Sequence, residues 1–144
     1  MTTRPGHRAD YAAFRDMGTR WFDNDVYGHL NNAVHYQLFD TAVNAPLVEA
    51  GLLDPVAGEG VFLVVESGCR YFAPLAFPPP VIAGVRVAHL GRSSVRYEIA
   101  LFEGTDDVAA AEGFFVHVHV DRVERTTRPI PDGTRAMLEK MRVA

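Results

Sequence analysis

With 144 residues, 48% of them hydrophobic and 22% charged, the chain has the size and composition of one globular domain with a substantial core. A net charge of −4 is not that of a nucleic-acid binder, so an anionic ligand would need a local basic patch. The single cysteine, Cys69, excludes an intramolecular disulfide and fits a reducing, cytoplasmic setting. The polar start has no signal-peptide core and no run approaches the ~18 apolar residues of a membrane span, so no membrane partner is expected.

In chain order, the polar residues 1–12 read as a loose segment and 15–22 as a first strand. A turn-rich stretch, Asp23-Asn24-Asp25-Val26-Tyr27-Gly28-His29, precedes a helix expected over 31–50. Asn31 or Asn32 is suited to cap its start, because a short amide accepts from the free N–H groups there. Gly51 is placed to cap its end. Apolar residues from Val34 to Val48 occupy most of the helix circumference, which predicts burial at the centre of the fold. Pro46 is a misfit that either kinks the helix or starts a second one.

From Gly60 the apolar period becomes two, with Val61, Leu63, Val65, Ser67, Cys69 and Tyr71 on one face. The turn at Phe77-Pro78-Pro79-Pro80 ends that strand. The next run points Val81, Ala83, Val85 and Val87 one way; the one after points Val95, Tyr97, Ile99 and Leu101 inward. A last strand is expected over 108–124, with Phe114, Val116, Val118 and Val120 inward and His117 and His119 on the opposite face. A short helix is expected over 132–141. One strand, an apolar helix and four more strands are satisfied by an antiparallel sheet curled around the helix, an α+β hotdog architecture in a single domain.

Residues 20–33, RWFDNDVYGHLNNA, resemble the signature of the 4-hydroxybenzoyl-CoA thioesterase-like family: an aspartate, a spacer, Gly-His-(Val or Leu)-Asn-Asn-Ala, then an aromatic-rich helix. Residues 69–75, CRYFAPL, resemble its second strand, and 91–96, GRSSVR, the hairpin between its third and fourth strands. The ordered resemblance runs over 14–128. The chain departs from it at His35, where relatives commonly have tyrosine, so the departure falls in the acyl pocket.

The resemblance implies hydrolysis of an acyl-CoA thioester. Asp25 lies seven residues before Asn32, a spacing that lets its carboxylate fold back over Gly28 toward the helix N-terminus. Free N–H groups and the helix dipole there can polarise a thioester carbonyl. By resemblance, the N–H near Asn32 is the oxyanion donor and Asp25 is the nucleophile or the general base. Asp23 is the competing carboxylate, and the family pattern selects the second. His29 is expected to hold the loop or line the site, and Asn31 and His35 to meet the substrate. Arg92, Ser93 and Ser94 are the expected contacts to the CoA phosphates.

No cofactor or metal is required by that chemistry. His117 and His119 share a strand face, but two histidines are fewer ligands than a metal site usually needs. Cys69 reads as a small core residue, and Glu66, Arg70, Arg86, Arg96 and Glu98 as an outer polar face with cross-strand ion pairs. An open sheet edge predicts a homodimer or homotetramer. Two other readings stand beside hydrolysis: a hotdog enoyl-thioester hydratase or dehydratase using His29 with Asp25, and a non-catalytic acyl-CoA-binding protein.

Overall fold

One five-stranded antiparallel sheet and two helices make up the computed structural model, which describes residues 4–143. The elements are β1 (Ala13–Met17), α1 (Asn32–Glu49), β2 (Gly60–Tyr71), β3 (Val81–Leu90), β4 (Ser94–Glu103), β5 (Ala111–Asp121) and α2 (Asp132–Glu139). The spatial order is β1-β3-β4-β5-β2, so β1 and β2 form the edges. The inward residues of β3 and β4 are those the alternation predicts: Val81, Ala83, Val85 and Val87, then Val95, Tyr97, Ile99 and Leu101. They pack with Leu38, Phe39, Ala42 and Val43 of α1 in the hotdog arrangement. On the outer face Arg86 pairs with Glu98 directly across the strands at 2.8 Å.

The ends of α1 follow from local chemistry. Asn31 accepts the Ala33 N–H on its side-chain oxygen at 2.9 Å, a side-chain N-cap. At the other end Gly51 takes φ +72, its N–H reaches the Val48 carbonyl and the Leu52 N–H reaches Leu47, the paired bonds of a Schellman cap. Pro46 sits inside the last turn without ending the helix. Burial of α1 is one-sided: His35, Leu38, Phe39, Ala42, Val43 and Leu47 are buried while Gln37, Asp40, Thr41 and Glu49 are exposed. The expectation of burial all round is corrected, because one five-stranded sheet covers only one side of a helix.

Four further expectations are corrected. Of the segment expected to be loose, residues 1–3 lie outside the described residues and the rest is tied to the sheet. The Gly6 N–H donates to Glu112, Arg8 donates to the Asp106 carbonyl, and Tyr11 is buried with its hydroxyl on Glu112. The first strand ends at Met17, and residues Trp21–Asp23 form a 3-10 turn instead. In β2 a bulge between Val64 and Glu66 reverses the alternation, so Phe62 before it and Cys69 after it both reach the core. In β5 the inward face is the opposite one: Ala111, Gly113, Phe115, His117 and His119 are buried, and of the residues expected inward only Val120, at the strand end, is buried. The reason is the Phe39 ring, which lies where a side chain at position 113 would stand, so Gly113 must face the helix. Removing that ring, as in Phe39→Ala, would cost about 3–5 kcal/mol of stability.

Candidate active site

Residues 20–31 form a cross-braced loop that feeds α1. The buried Asp23 carboxylate accepts the Arg20 backbone N–H at 2.8 Å and pairs with the Arg20 guanidinium at 2.8 Å. The Arg20 guanidinium holds the Asp23 carboxyl below the usual carboxylate range. Asp23 is thus a brace for the 3-10 turn, and its carbonyl takes the Asn31 N–H. Asn24 is a second brace, its side-chain amide bonding both the N–H and the carbonyl of Phe77. Leu30 completes the attachment through its N–H to the Leu75 carbonyl at 2.7 Å.

Asp25 stands at the mouth of this loop, partly exposed. Its Oδ1 accepts the Tyr27 N–H at 2.8 Å, and its Oδ2 lies 3.4 Å from His29 Nδ1. Backbone bonds from Asp25 N–H to His29 and from Gly28 N–H to Asp25 close the turn. Gly28 has φ +85, a conformation that favours glycine, so it serves the turn and does not line the cavity. Opposite Asp25 is the first turn of α1. The Asn31 side chain takes the Ala33 N–H and the Asn31 carbonyl takes the Val34 N–H. The Asn32 N–H is left without an acceptor among the described residues.

Asp25, His29, Asn32 and His35 line one cavity of about 370 Å³, with Tyr71 and residues 72–75 as the far wall. The structure therefore brings together four of the residues singled out from the sequence. Asn31 serves this cavity through its cap, without lining it. Tyr71 was not foreseen: its hydroxyl donates to the Asn32 carbonyl at 2.9 Å and its ring meets His35 edge-to-face at 4.8 Å. The signal for it was the 69–75 segment, whose role the alternation pattern alone does not reveal.

Arg92, Ser93 and Ser94 are not part of this cavity. They lie in the β3–β4 hairpin, where the Arg92 carbonyl accepts from Ile130 N–H and from Arg135, and the Ser93 carbonyl accepts from His119 N–H. The cavity wall joins the sheet near Leu101 and Ala111, since Phe72 N–H reaches the Ala110 carbonyl and Ala110 N–H reaches Leu101. Leu101 and Ser94 are seven positions apart on β4, about 24 Å of extended strand. Within one protomer the hairpin is at the opposite end of the sheet from Asp25.

His117 and His119 face the core, where they meet different neighbours. His119 Nδ1 lies 3.0 Å from the Pro129 carbonyl, while His117 is enclosed by the rings of Phe62, Tyr97 and Phe115. Among the described residues no three His, Cys, Asp or Glu side chains converge on one point. Burial pushes the Cys69 thiol up to about 11, leaving it protonated and a poor nucleophile. No helix is long and apolar enough to cross a membrane among the described residues.

Solved structures share the fold of this chain. The PA5185 protein of Pseudomonas aeruginosa shares 48% identity with this chain over 97% of its length and 98% of that chain, at a TM-score of 0.95. A thioesterase of Thermus thermophilus, crystallised with coenzyme A and zinc, is 27% identical over 92% of this chain and 93% of its own, with a TM-score of 0.71. The 1,4-dihydroxy-2-naphthoyl-CoA thioesterase of Synechocystis shares the fold, at 15% identity and a TM-score of 0.78 over 87% of this chain and 93% of that one. No curated protein sequence matches the chain. The sequence profile of the thioesterase-like superfamily matches residues 19–138, a span that holds the braced loop, the capped helix, the cavity wall and the hairpin, and the chain belongs to that superfamily.

Proposed function

We propose that the protein is an acyl-CoA thioesterase, releasing a free acid and coenzyme A, with Asp25 as base or nucleophile. The observation that carries this reading is the shared cavity, which Asp25 lines together with Asn32, whose helix N–H has no acceptor among the described residues. In the general-base form Asp25 takes a proton from water as its oxygen attacks the thioester carbonyl. Charge then develops on the carbonyl oxygen, where the Asn32 N–H and the positive end of α1 stabilise it. Collapse breaks the C–S bond, and the departing thiolate takes up the proton. In the nucleophilic form Asp25 attacks directly, the C–S bond breaks as coenzyme A thiolate leaves, and water hydrolyses the resulting anhydride to free acid and the Asp25 carboxylate, its proton going to the thiolate. The Tyr27 N–H and His29 hold the carboxylate in place for either route.

A homodimer is part of this proposal, as the building block of any larger assembly. The β2 edge has no neighbour in the protomer, and Val64 and Val65 at its middle are exposed. Four large apolar side chains on the active loop, Trp21, Phe22, Val26 and Tyr27, are 78–93% exposed. Two-fold pairing of β2 edges would cover the first set and lay the partner's hairpin end beside the Asp25 end. That arrangement would also give Arg92 a route to the CoA phosphates of the neighbouring site.

The Asp25–His29 approach at 3.4 Å keeps one competing reading alive, a hydratase in which His29 moves the proton and Asp25 orients it. A panel of acyl-CoAs assayed for thiol release, with an enoyl-CoA followed for hydration, separates the two. Thiol release is the expected outcome. Hydration without thiol release transfers the site to the second reading, and binding without turnover removes both.

A further inference from the structure

His35 is only 4% exposed, yet its ring forms part of the cavity wall. Its Nδ1 lies 3.3 Å from the Asn31 carbonyl. A carbonyl can only accept, so Nδ1 carries the proton and donates. Burial holds the imidazole pKa below its ordinary value, which keeps the ring neutral and leaves a lone pair on Nε2. No described residue donates to that nitrogen. The ring is also fixed, because Tyr71 packs against it edge-to-face and is itself anchored to the Asn32 carbonyl. A hydrogen-bond acceptor on a largely buried, braced ring thus belongs to a cavity lined also by Leu30, Pro74 and Leu75.

Its position limits what it can read. His35 lies three residues beyond Asn32, so its backbone is about 4.5 Å further along the helix, within one turn of the expected oxyanion donor. A group two or three bonds from the thioester carbonyl carbon falls in that range. The pantetheine arm has to lead out toward solvent, whereas His35 is on the buried side, which is the side left for the acyl group. We propose, on the basis of the thioesterase reading above, that His35 Nε2 accepts a hydrogen bond from a hydroxyl on C2 or C3 of the acyl group, making hydroxyacyl thioesters the preferred substrates.

The test compares kcat/KM for a 3-hydroxyacyl-CoA and the unsubstituted acyl-CoA of equal length, and for the 2-hydroxy pair, on wild type, His35→Phe and His35→Gln. Wild type is expected to favour one hydroxyacyl member by about 10–100-fold, the factor that follows when a buried acceptor is left unpaired. His35→Phe keeps an aromatic ring against Tyr71 but has no acceptor, and its ratio should collapse toward one. His35→Gln restores an acceptor oxygen and should recover part of the ratio, which a purely structural role would not produce. Circular dichroism confirms folding of both variants. A wild-type ratio near one in both pairs, with the unsubstituted thioesters hydrolysed, overturns this proposal and leaves the thioesterase reading standing. A ratio that survives in His35→Phe overturns it as well. Equal losses on both members of each pair overturn it too, assigning the ring to pantetheine or to packing. If wild type hydrolyses none of the thioesters, the thioesterase reading falls and this inference with it.

Discussion

The two ends of the sheet handle polar groups in opposite ways. At the Asp25 end, an N–H of α1 has no acceptor among the described residues, and its residue shares the lining of an open cavity with a carboxylate. At the hairpin end the exposed backbone is tied down: Arg135 bonds the carbonyls of Gly91 and Arg92, and Ile130 N–H adds a second bond to Arg92. Beneath that end His117 lies 2% exposed with neither ring nitrogen bonded among the described residues. An unpaired polar group at the first end is available to a substrate, whereas at the second it is sealed in the core and acts only on stability. Unsatisfied polarity marks chemistry only where a ligand can reach it.

The largest effect expected from that contrast is at Asp25. Asp25→Asn keeps a side-chain oxygen for the Tyr27 N–H, so the loop should survive while charge and basicity are lost. We expect kcat on the best acyl-CoA to fall roughly 10²–10⁴-fold with the fold and CoA affinity retained. Asp23→Asn is the control, since Asp23 is spent on Arg20 and should affect stability more than rate. Its rate effect should be at least tenfold smaller, about 1.4 kcal/mol in barrier. A folded Asp25→Asn enzyme running near the wild-type rate removes Asp25 from the mechanism, and a larger rate loss at Asp23 transfers the role there.

At the sealed end the expected effect is on pH-dependent stability. Burial pushes the His117 imidazole down to about 4 from an ordinary value of 6.5. The unfolded chain then binds a proton below pH 6.5 that the folded chain refuses until about pH 4. Its contribution to stability is therefore fully present above pH 6.5 and is lost as the pH falls toward 4. The neighbouring Tyr97 hydroxyl, also without a bonding partner, is uncharged over this range because burial raises its pKa further. Urea unfolding at pH 7 and pH 4.5 should show a larger drop for wild type than for His117→Phe, by on the order of 3 kcal/mol. His35 acts in the same direction through its own lowered pKa and is present in both proteins, so the difference isolates His117. Equal drops would mean that the core takes up the imidazolium without penalty.

The sequence was readable where structure is local. The caps at Asn31 and Gly51, the turn glycine at position 28 and the proximity of Asp25 to the helix start all rest on residues a few positions apart. It was misread where a distant neighbour decides. Ranking valines above histidines by hydrophobicity put Val116 and Val118 inside, but the space required by Phe39 forces Gly113 inward and brings His117 and His119 with it. The bulge in β2 has no local signal in a run of valines. Arg92 stands out only by resemblance to a motif, which gives the order of residues along the chain and not the end of the sheet where they fall.

The smallest expected effect is at Arg92. If Arg92 meets the CoA phosphates, Arg92→Ala should mainly raise KM and weaken inhibition by free CoA, by about 1.5–3 kcal/mol, as for a charged hydrogen bond. A separation of about 24 Å along β4 between the hairpin and the cavity wall sets a contact within one protomer against that effect, and makes the neighbouring protomer the source to test. Mixing the two defective chains and allowing subunits to exchange distinguishes the routes. A dimer of Asp25→Asn with Arg92→Ala carries one site with an intact Asp25, served across the interface by the intact Arg92 of the other chain. Random pairing would then restore about a quarter of the wild-type kcat/KM to a mixture of two weak proteins. If Arg92 instead serves its own Asp25, no pairing creates an intact site and the mixture stays at the average of its parents. An unchanged KM in Arg92→Ala would return this arginine to the ordinary surface, and light scattering that gives a fully active monomer would remove the shared site altogether.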